Sequence, residues 1–121
     1  MRKVAVIGGG NVGASAALYV AESGLADVVL VDIVEGMPQG KALDLSQAGP
    51  VRGYDAFVTG ANDFAAIAGA DIVIQTAGFP RKPGMSRLDL LNATADIIRA
   101  SAAHIKQHAP DAFVIVVTNP P

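Results

Sequence analysis

The sequence predicts an α/β fold: a doubly wound parallel sheet with strand order 3-2-1-4-5 and helices on both faces. Two unbroken apolar runs, Val4–Ile7 and Val28–Val31, are typical of strands buried on both faces. Glycines directly after the first run form a G-x-G-x-x-G turn of the kind that joins a strand to a helix. Apolar runs and helical patterns then alternate along the chain, and right-handed crossovers between parallel strands give this order.

Glycine and proline mark where the predicted helices end, and Ser86 with Asp89 resembles a capping box at the start of the longest helix. The predicted helices are Asn11–Ser23, Met37–Ala48, a brief one that Asp63 caps and that runs through Ala68, and a long one from Ser86 to Ala109. The predicted strands are Val4–Ile7, Asp27–Asp32, Ala56–Thr59, Ile72–Thr76 and Ala112–Thr118.

The apolar positions of the helices predict which faces are buried. The apolar face of the second helix comes from Ala42, Leu43 and Leu45. Along the long helix, apolar residues recur at alternating steps of three and four, which predicts one buried stripe: Leu88, Leu91, Ala95, Ile98, Ala102, Ile105 and Ala109.

Composition bounds the class of protein. The 121 residues, 51 % of them hydrophobic, make one domain over residues 1–121, which is small for a complete enzyme with two substrates. A net charge of −2 predicts no nucleic-acid or membrane-surface partner, and no apolar run has the length of a membrane span. Zero cysteines and the absence of a secretory signal predict a cytoplasmic protein without thiolate metal sites.

The glycine turn and one carboxylate predict a dinucleotide site. Gly8 permits the tight turn, Gly10 lets backbone N–H groups approach a diphosphate, and Gly13 lets the helix pack on the strand. Asp32 ends the second apolar run, 19 residues after Gly13, where a carboxylate accepts hydrogen bonds from ribose hydroxyls. The predicted cofactor is therefore NAD, held by Gly8, Gly10, Asn11, Val12, Gly13, Asp32, Ile33, Thr76, Ala77 and Gly78. The alternatives are a tight turn without a ligand and a solvated Asp32 at a strand end.

Four segments, GGGNVG, VDIVEGMPQGKALDL, TAGFPRKPGMSR and VVTNP, occur in an order that resembles the N-terminal half of the malate dehydrogenases of the lactate/malate dehydrogenase family. The resemblance covers essentially the whole chain and implies a Rossmann fold. It also implies that residues 79–90 form a mobile loop that closes over a dicarboxylate substrate, malate or oxaloacetate.

Three residues acquire substrate roles from this resemblance. Arg81 matches the residue that selects a dicarboxylate, and Arg87 matches the one that polarises the substrate carbonyl. Asn119 matches the residue that contacts the substrate oxygen and the nicotinamide ribose side, with a cis bond to Pro120. Without the resemblance, Arg81 and Lys82 would be taken for a solvated charge pair.

The resemblance places the catalytic histidine, its aspartate and the arginine for the proximal carboxylate in a C-terminal half outside this chain. The chain is therefore expected to bind NAD without oxidising malate on its own, and to form a homo-oligomer. His104 and His108 are expected to face solvent, because no third metal ligand has a matching spacing and no metal site is predicted. The alternative function is a free-standing NAD-binding regulatory or ligand-sensing module, which the length favours and the segment RKPGMSR disfavours.

Overall fold

A computed structural model describes residues 2–78, 80 and 82–118 of the chain. Strands and helices alternate over this part in the predicted order. The strands are β1 (Lys3–Ile7), β2 (Asp27–Val31), β3 (Val58–Ala61), β4 (Ile72–Gln75) and β5 (Phe113–Val116). The helices are α1 (Asn11–Ser23), α2 (Met37–Arg52) and α3 (Arg87–His108), with a short 3₁₀ helix at Phe64–Ile67.

The five strands form one parallel sheet in the order β3-β2-β1-β4-β5, which confirms the predicted topology. Ile7, the last residue of β1, lies opposite Val31 of β2 and Gln75 of β4. The carboxyl ends of the three central strands therefore meet at one edge of the sheet, where open α/β sheets bind their ligands.

Alternate residues of β1 and β2 enter two separate cores, because successive side chains of a strand point to opposite faces. Val6 and Leu30 belong to the core under α1 and α2, with Ala17 and Ala42 from those helices. The other core contains Ile7, Val31, Val73, Ile67 and Ala109. Helical elements thus cover both faces of the sheet, as predicted. Because β1 and β2 are buried on both faces, their sequences are continuous apolar runs.

The predicted end of α2 at Ala48 was wrong, since the helix continues through Gly49 and Pro50 to Arg52. Gly49 is buried against Tyr54, and its carbonyl accepts hydrogen bonds from the N–H groups of Gly53 and Tyr54. The helix ends at Gly53, which has the left-handed φ of 83° that glycine tolerates. Packing of Gly49 therefore outweighs the breaking tendency of the Gly-Pro pair.

The apolar face of α2 is divided, since Ala42 is buried and Leu45 packs on the core, while Leu43 is 60 % exposed. The predicted stripe of α3 was partly wrong. On α3, Leu88, Leu91 and Ala102 are exposed, whereas the buried positions are Thr94 and Ser101. The inward face of α3 is therefore more polar than the predicted stripe, and the difference bears on the site described below.

The predicted caps were correct. The side chain of Asp63 accepts a hydrogen bond from the N–H of Ala65 and begins the 3₁₀ helix. At the start of α3, the Ser86 hydroxyl accepts from the N–H of Asp89 while the Asp89 carboxylate accepts from the N–H of Ser86. Among the strands, β3 lies two residues later than predicted, and β2, β4 and β5 are shorter than predicted.

Candidate functional site

A cleft of about 1090 Å³ lies at the carboxyl ends of β1, β2 and β4, between the start of α1 and the inner face of α3. Its volume suits a ligand of dinucleotide size. Ten of the eleven residues that the sequence predicts for the cofactor line this cleft: Gly8, Gly10, Asn11, Val12, Gly13, Asp32, Ile33, Thr76, Ala77 and Gly78. The eleventh, Asn119, lies outside the described residues.

The turn between β1 and α1 requires two of its glycines for steric reasons. Gly8 has a φ of +105°, which residues with a side chain rarely adopt. A Cβ on Gly13 would lie 1.7 Å from the carbonyl oxygen of Gly8, so any side chain there would force strand and helix apart. Both glycines are therefore needed for the turn itself.

Gly10 has a different role, since a Cβ there would meet nothing within 4 Å. The space beside it is part of the cleft. Gly10 is the N-cap of α1, no side chain caps this helix, and no acidic residue lies in its first turn. The first N–H groups of α1 thus remain available to an anion, and the positive end of the helix dipole favours one.

The carboxylate of Asp32 joins the glycine turn to the end of β2. One oxygen accepts a hydrogen bond from the N–H of Gly9 at 2.7 Å, and the other accepts from the N–H of Val34 at 3.0 Å. These bonds fix the orientation of the half-buried carboxylate at the cleft. Each ionised oxygen can accept more than one hydrogen bond, so the carboxylate can still bind ribose hydroxyls.

The turn that follows β4 is held against the turn that follows β1. The Thr76 hydroxyl donates to the carbonyl of Ile7 at 2.9 Å, and the buried Gln75 amide donates to the carbonyl of Ala77 at 2.9 Å. Both hydrogen bonds fix the backbone of residues 76–78 where it lines the cleft. The sequence did not single out Gln75, because nothing in its position within an apolar strand distinguishes this role.

The structure describes one of the three predicted substrate residues. Arg87 is the first residue of α3, directly after the capping Ser86, and its side chain is exposed. In the part of the chain that the structure describes, Arg87 forms no ion pair. Arg81 and Asn119 lie outside that part, so the substrate roles of all three residues stay predictions.

Sequence reasoning missed several residues that complete the cleft: Val34, Met37, Phe64, Ile97, Ser101 and His104. The expectation that the histidines face solvent was wrong, because both are half-buried. The His104 ring stacks on Phe64 with centroids 4.0 Å apart and planes within 9°. Ile97, Ser101 and His104 follow the steps of four and three that define a helix face, but two of them are polar, so the apolar stripe concealed them.

The described residues contain no cluster of three histidine, cysteine, aspartate or glutamate side chains that could hold a metal ion. Over the same residues, no helix combines the length and the apolar character needed to cross a membrane. The cleft instead fits a dinucleotide: uncapped N–H groups and open space for a diphosphate, a carboxylate for ribose, and apolar walls for a base.

Comparisons with known proteins support the assignment of this cleft to a dinucleotide. The family model described as lactate/malate dehydrogenase, NAD binding domain, matches residues 2–121. Malate dehydrogenases from Geotalea daltonii and Desulforudis audaxviator are 58 % and 52 % identical over 119 residues. These alignments cover 98 % of this chain but only 37 % and 38 % of the relatives. NAD is therefore the cofactor of the cleft.

Solved structures give the same result for the fold. The apo malate dehydrogenase from Picrophilus torridus superposes with a TM-score of 0.94 at 40 % identity, over 98 % of this chain and 38 % of that one. A lactate dehydrogenase from Cryptosporidium parvum, solved with lactic acid and nicotinamide adenine dinucleotide, superposes with a TM-score of 0.91 at 48 % identity and the same coverage. The chain thus spans a little over a third of the length of the proteins it matches.

Proposed function

We propose that this chain, which belongs to the lactate/malate dehydrogenase family, is the NAD-binding part of a malate dehydrogenase whose complete form transfers hydride between malate and NAD. The observation that carries the proposal is the 52–58 % identity to malate dehydrogenases over 98 % of the chain. Because the chain spans about 38 % of these relatives, substrate and reaction are proposed for the complete protein.

The cofactor supplies the hydride acceptor of this reaction, and residues of the chain bind and orient it. The N–H groups at the start of α1 would hold the diphosphate, and Asp32 the adenine ribose. The backbone of residues 76–78, fixed by Thr76 and Gln75, would support the other half of the cofactor. Holding the nicotinamide in one position relative to the substrate lowers the entropic part of the barrier.

We propose Arg81, Arg87 and Asn119 as the residues of this chain that contact the substrate. A guanidinium binds a carboxylate through two parallel hydrogen bonds, which suits Arg81 to the distal carboxylate of a dicarboxylic acid. Exposed Arg87, at the start of α3, can approach a substrate carbonyl and stabilise the negative charge that grows on its oxygen. Malate and oxaloacetate have both groups, whereas lactate and pyruvate lack the second carboxylate.

Exchange of one residue tests this proposal in the full-length protein. Arg81→Gln should lower kcat/KM for oxaloacetate relative to pyruvate by about 10²-fold, because a bidentate charged contact is lost. Arg99→Gln is the matched control, since exposed Arg99 pairs only with Asp96 on the outer face of α3 among the described residues. If the ratio of kcat/KM values is the same in wild type and Arg81→Gln, Arg81 does not select the substrate.

We propose a cytoplasmic homo-oligomer as the state of the complete protein. Zero cysteines are consistent with a reducing compartment. Exposed apolar side chains on α2 and β5, among them Leu43 and Ile115, would be covered by a second subunit or by further parts of the same protein.

A further inference from the structure

We propose that Lys41 is a positioning residue for the diphosphate of NAD, acting through the glycine turn. The Lys41 ammonium donates a hydrogen bond to the carbonyl oxygen of Gly9 at 2.5 Å. The inference depends on NAD binding in the cleft, not on the identity of the substrate. It assigns a role in cofactor binding to α2, the helix from which Met37 lines the cleft.

Lys41 and Asp32 form hydrogen bonds with the two peptide groups that flank the Cα of Gly9. The N–H of Gly9 donates to the carboxylate of Asp32 at 2.7 Å, while its carbonyl accepts from Lys41. The middle residue of the G-x-G segment is thus fixed between an anion and a cation. Since the peptide bond is planar, fixing the Gly9 carbonyl also fixes the N–H of Gly10, the N-cap of α1.

The face of α2 that meets the turn is set by helix geometry. Met37 and Lys41 are four residues apart and therefore lie on one face of the helix. A Cβ on Gly9 would come 2.7 Å from the sulfur of Met37, so the thioether already packs on this glycine. Lys41 lies one helical turn further on, where a long side chain reaches the Gly9 carbonyl.

The charge of Lys41 suits an anionic ligand. Lys41 is half-buried, and the ion pairs among the described residues, Arg52 with Glu22 and Arg99 with Asp96, do not include it. Its positive charge therefore lies beside the glycine turn, with no carboxylate partner in the part of the chain that the structure describes. It adds to the helix dipole, and its hydrogen bond polarises the Gly9–Gly10 amide, so that the N–H of Gly10 becomes more positive.

Binding of cofactor fragments separates this role from a purely structural one. Calorimetric dissociation constants would be measured for NADH, ADP-ribose and adenosine with wild type, Lys41→Met, Lys41→Arg and Lys106→Met. Methionine keeps the length and helix propensity of lysine without its charge. Lys106→Met removes the same charge from an exposed site in the last turn of α3.

Lys41→Met should raise the dissociation constants of NADH and ADP-ribose by about tenfold or more, as expected for loss of a charge-assisted contact near a diphosphate. The dissociation constant of adenosine, which has no phosphate, should rise less than about twofold in Lys41→Met. Lys41→Arg should bind NADH and ADP-ribose with most of the wild-type affinity. Lys106→Met should bind all three ligands like wild type. Melting of the ligand-free variants should occur at nearly the same temperature.

If Lys41→Met loses the same affinity for adenosine as for ADP-ribose, or loses affinity for neither, Lys41 has no role at the diphosphate, while the assignment of NAD to the cleft stands. A wild-type chain that binds neither NADH nor ADP-ribose would overturn the cofactor site itself. A full-length protein inactive on malate would contradict the proposed reaction and leave the fragment measurements unaffected.

Discussion

Strands β1 and β2 have apolar sequences similar to that of the edge strand β5, but they are buried whereas β5 is exposed. In β1 and β2, the four residues after the first are buried. In β5, Phe113 is 71 % exposed and the next three residues are also exposed. The difference shows that an apolar strand is buried by its neighbours in the sheet and by the helices over it, not by its own composition.

This contrast separates the site into two parts. The part that would bind the diphosphate and adenine ribose lies on the covered strands, where hydrogen bonds of Asp32, Thr76 and Lys41 fix the backbone. Of the proposed substrate residues, the structure describes Arg87, which is exposed at the start of α3. We therefore expect cofactor binding to depend on packing inside this chain, and substrate binding by the complete protein to depend on the proposed residues Arg81, Arg87 and Asn119.

Matched truncations in β1 and β5 should show the largest difference in stability. Ile7→Ala leaves a cavity under a side chain that is 1 % exposed, and should lower the free energy of unfolding by about 2–5 kcal/mol. Ile115→Ala removes the same atoms from a side chain that is 42 % exposed, and should cost less than about 1 kcal/mol. Urea unfolding of both variants measures this. Equal losses would show that β5 is as well packed as β1.

Alanine replacements at two glycines should distinguish a position where a side chain clashes from one where glycine only adds flexibility to the unfolded chain. Gly13→Ala places a methyl group against the Gly8 carbonyl and should destabilise the chain by about 1–3 kcal/mol, as overpacking does. Gly40→Ala, on α2 with nothing within 4 Å, should instead stabilise it by about 0.5–1 kcal/mol. Thermal melting distinguishes the two. A stable Gly13→Ala variant with unchanged NADH binding would contradict the packing described for the turn.

Self-association through the exposed strand β5 should be the smallest of these effects, and it depends on protein concentration. At micromolar concentration, sedimentation should show a dimer, because β5 is the last strand of the sheet among the described residues and has exposed apolar side chains. Ile115→Lys should weaken the dimer by about tenfold, whereas Leu25→Lys, on the exposed turn before β2, should not. A wild-type chain that stays monomeric would show that these apolar surfaces do not drive association.

The parts of the fold that sequence reasoning predicted correctly are those with local signals. The capping box at Ser86 and Asp89, the glycine that ends α1 and the buried runs of β1 and β2 each have a local physical cause. The strand order then followed from the right-handedness of crossovers. The glycine turn and Asp32 follow the ends of β1 and β2, and the hydrogen bond from the N–H of Gly9 to Asp32 joins them.

The features that sequence reasoning missed depend on contacts between distant segments. Gly49 keeps α2 helical through Pro50 because it packs on Tyr54, which no local signal indicates. His104 lines the cleft because it stacks on Phe64, forty residues earlier in the chain. Lys41 contacts the carbonyl of Gly9, 32 residues earlier in the chain. Gly49 and His104 were predicted from the average behaviour of glycine and histidine, and a contact with one specific neighbour gave a different result. No role was predicted for Lys41.

The central claim is that the covered strands form a site for NAD, and a paired titration tests it most directly. Calorimetry would compare NADH and NADPH on the chain, since the Asp32 carboxylate can accept ribose hydroxyls but repels a 2′-phosphate. Like charges in a binding site cost a few kcal/mol, so NADH should bind tighter by about 10²-fold. Equal affinities, or tighter binding of NADPH, would contradict the role of Asp32 and with it the account of the cleft.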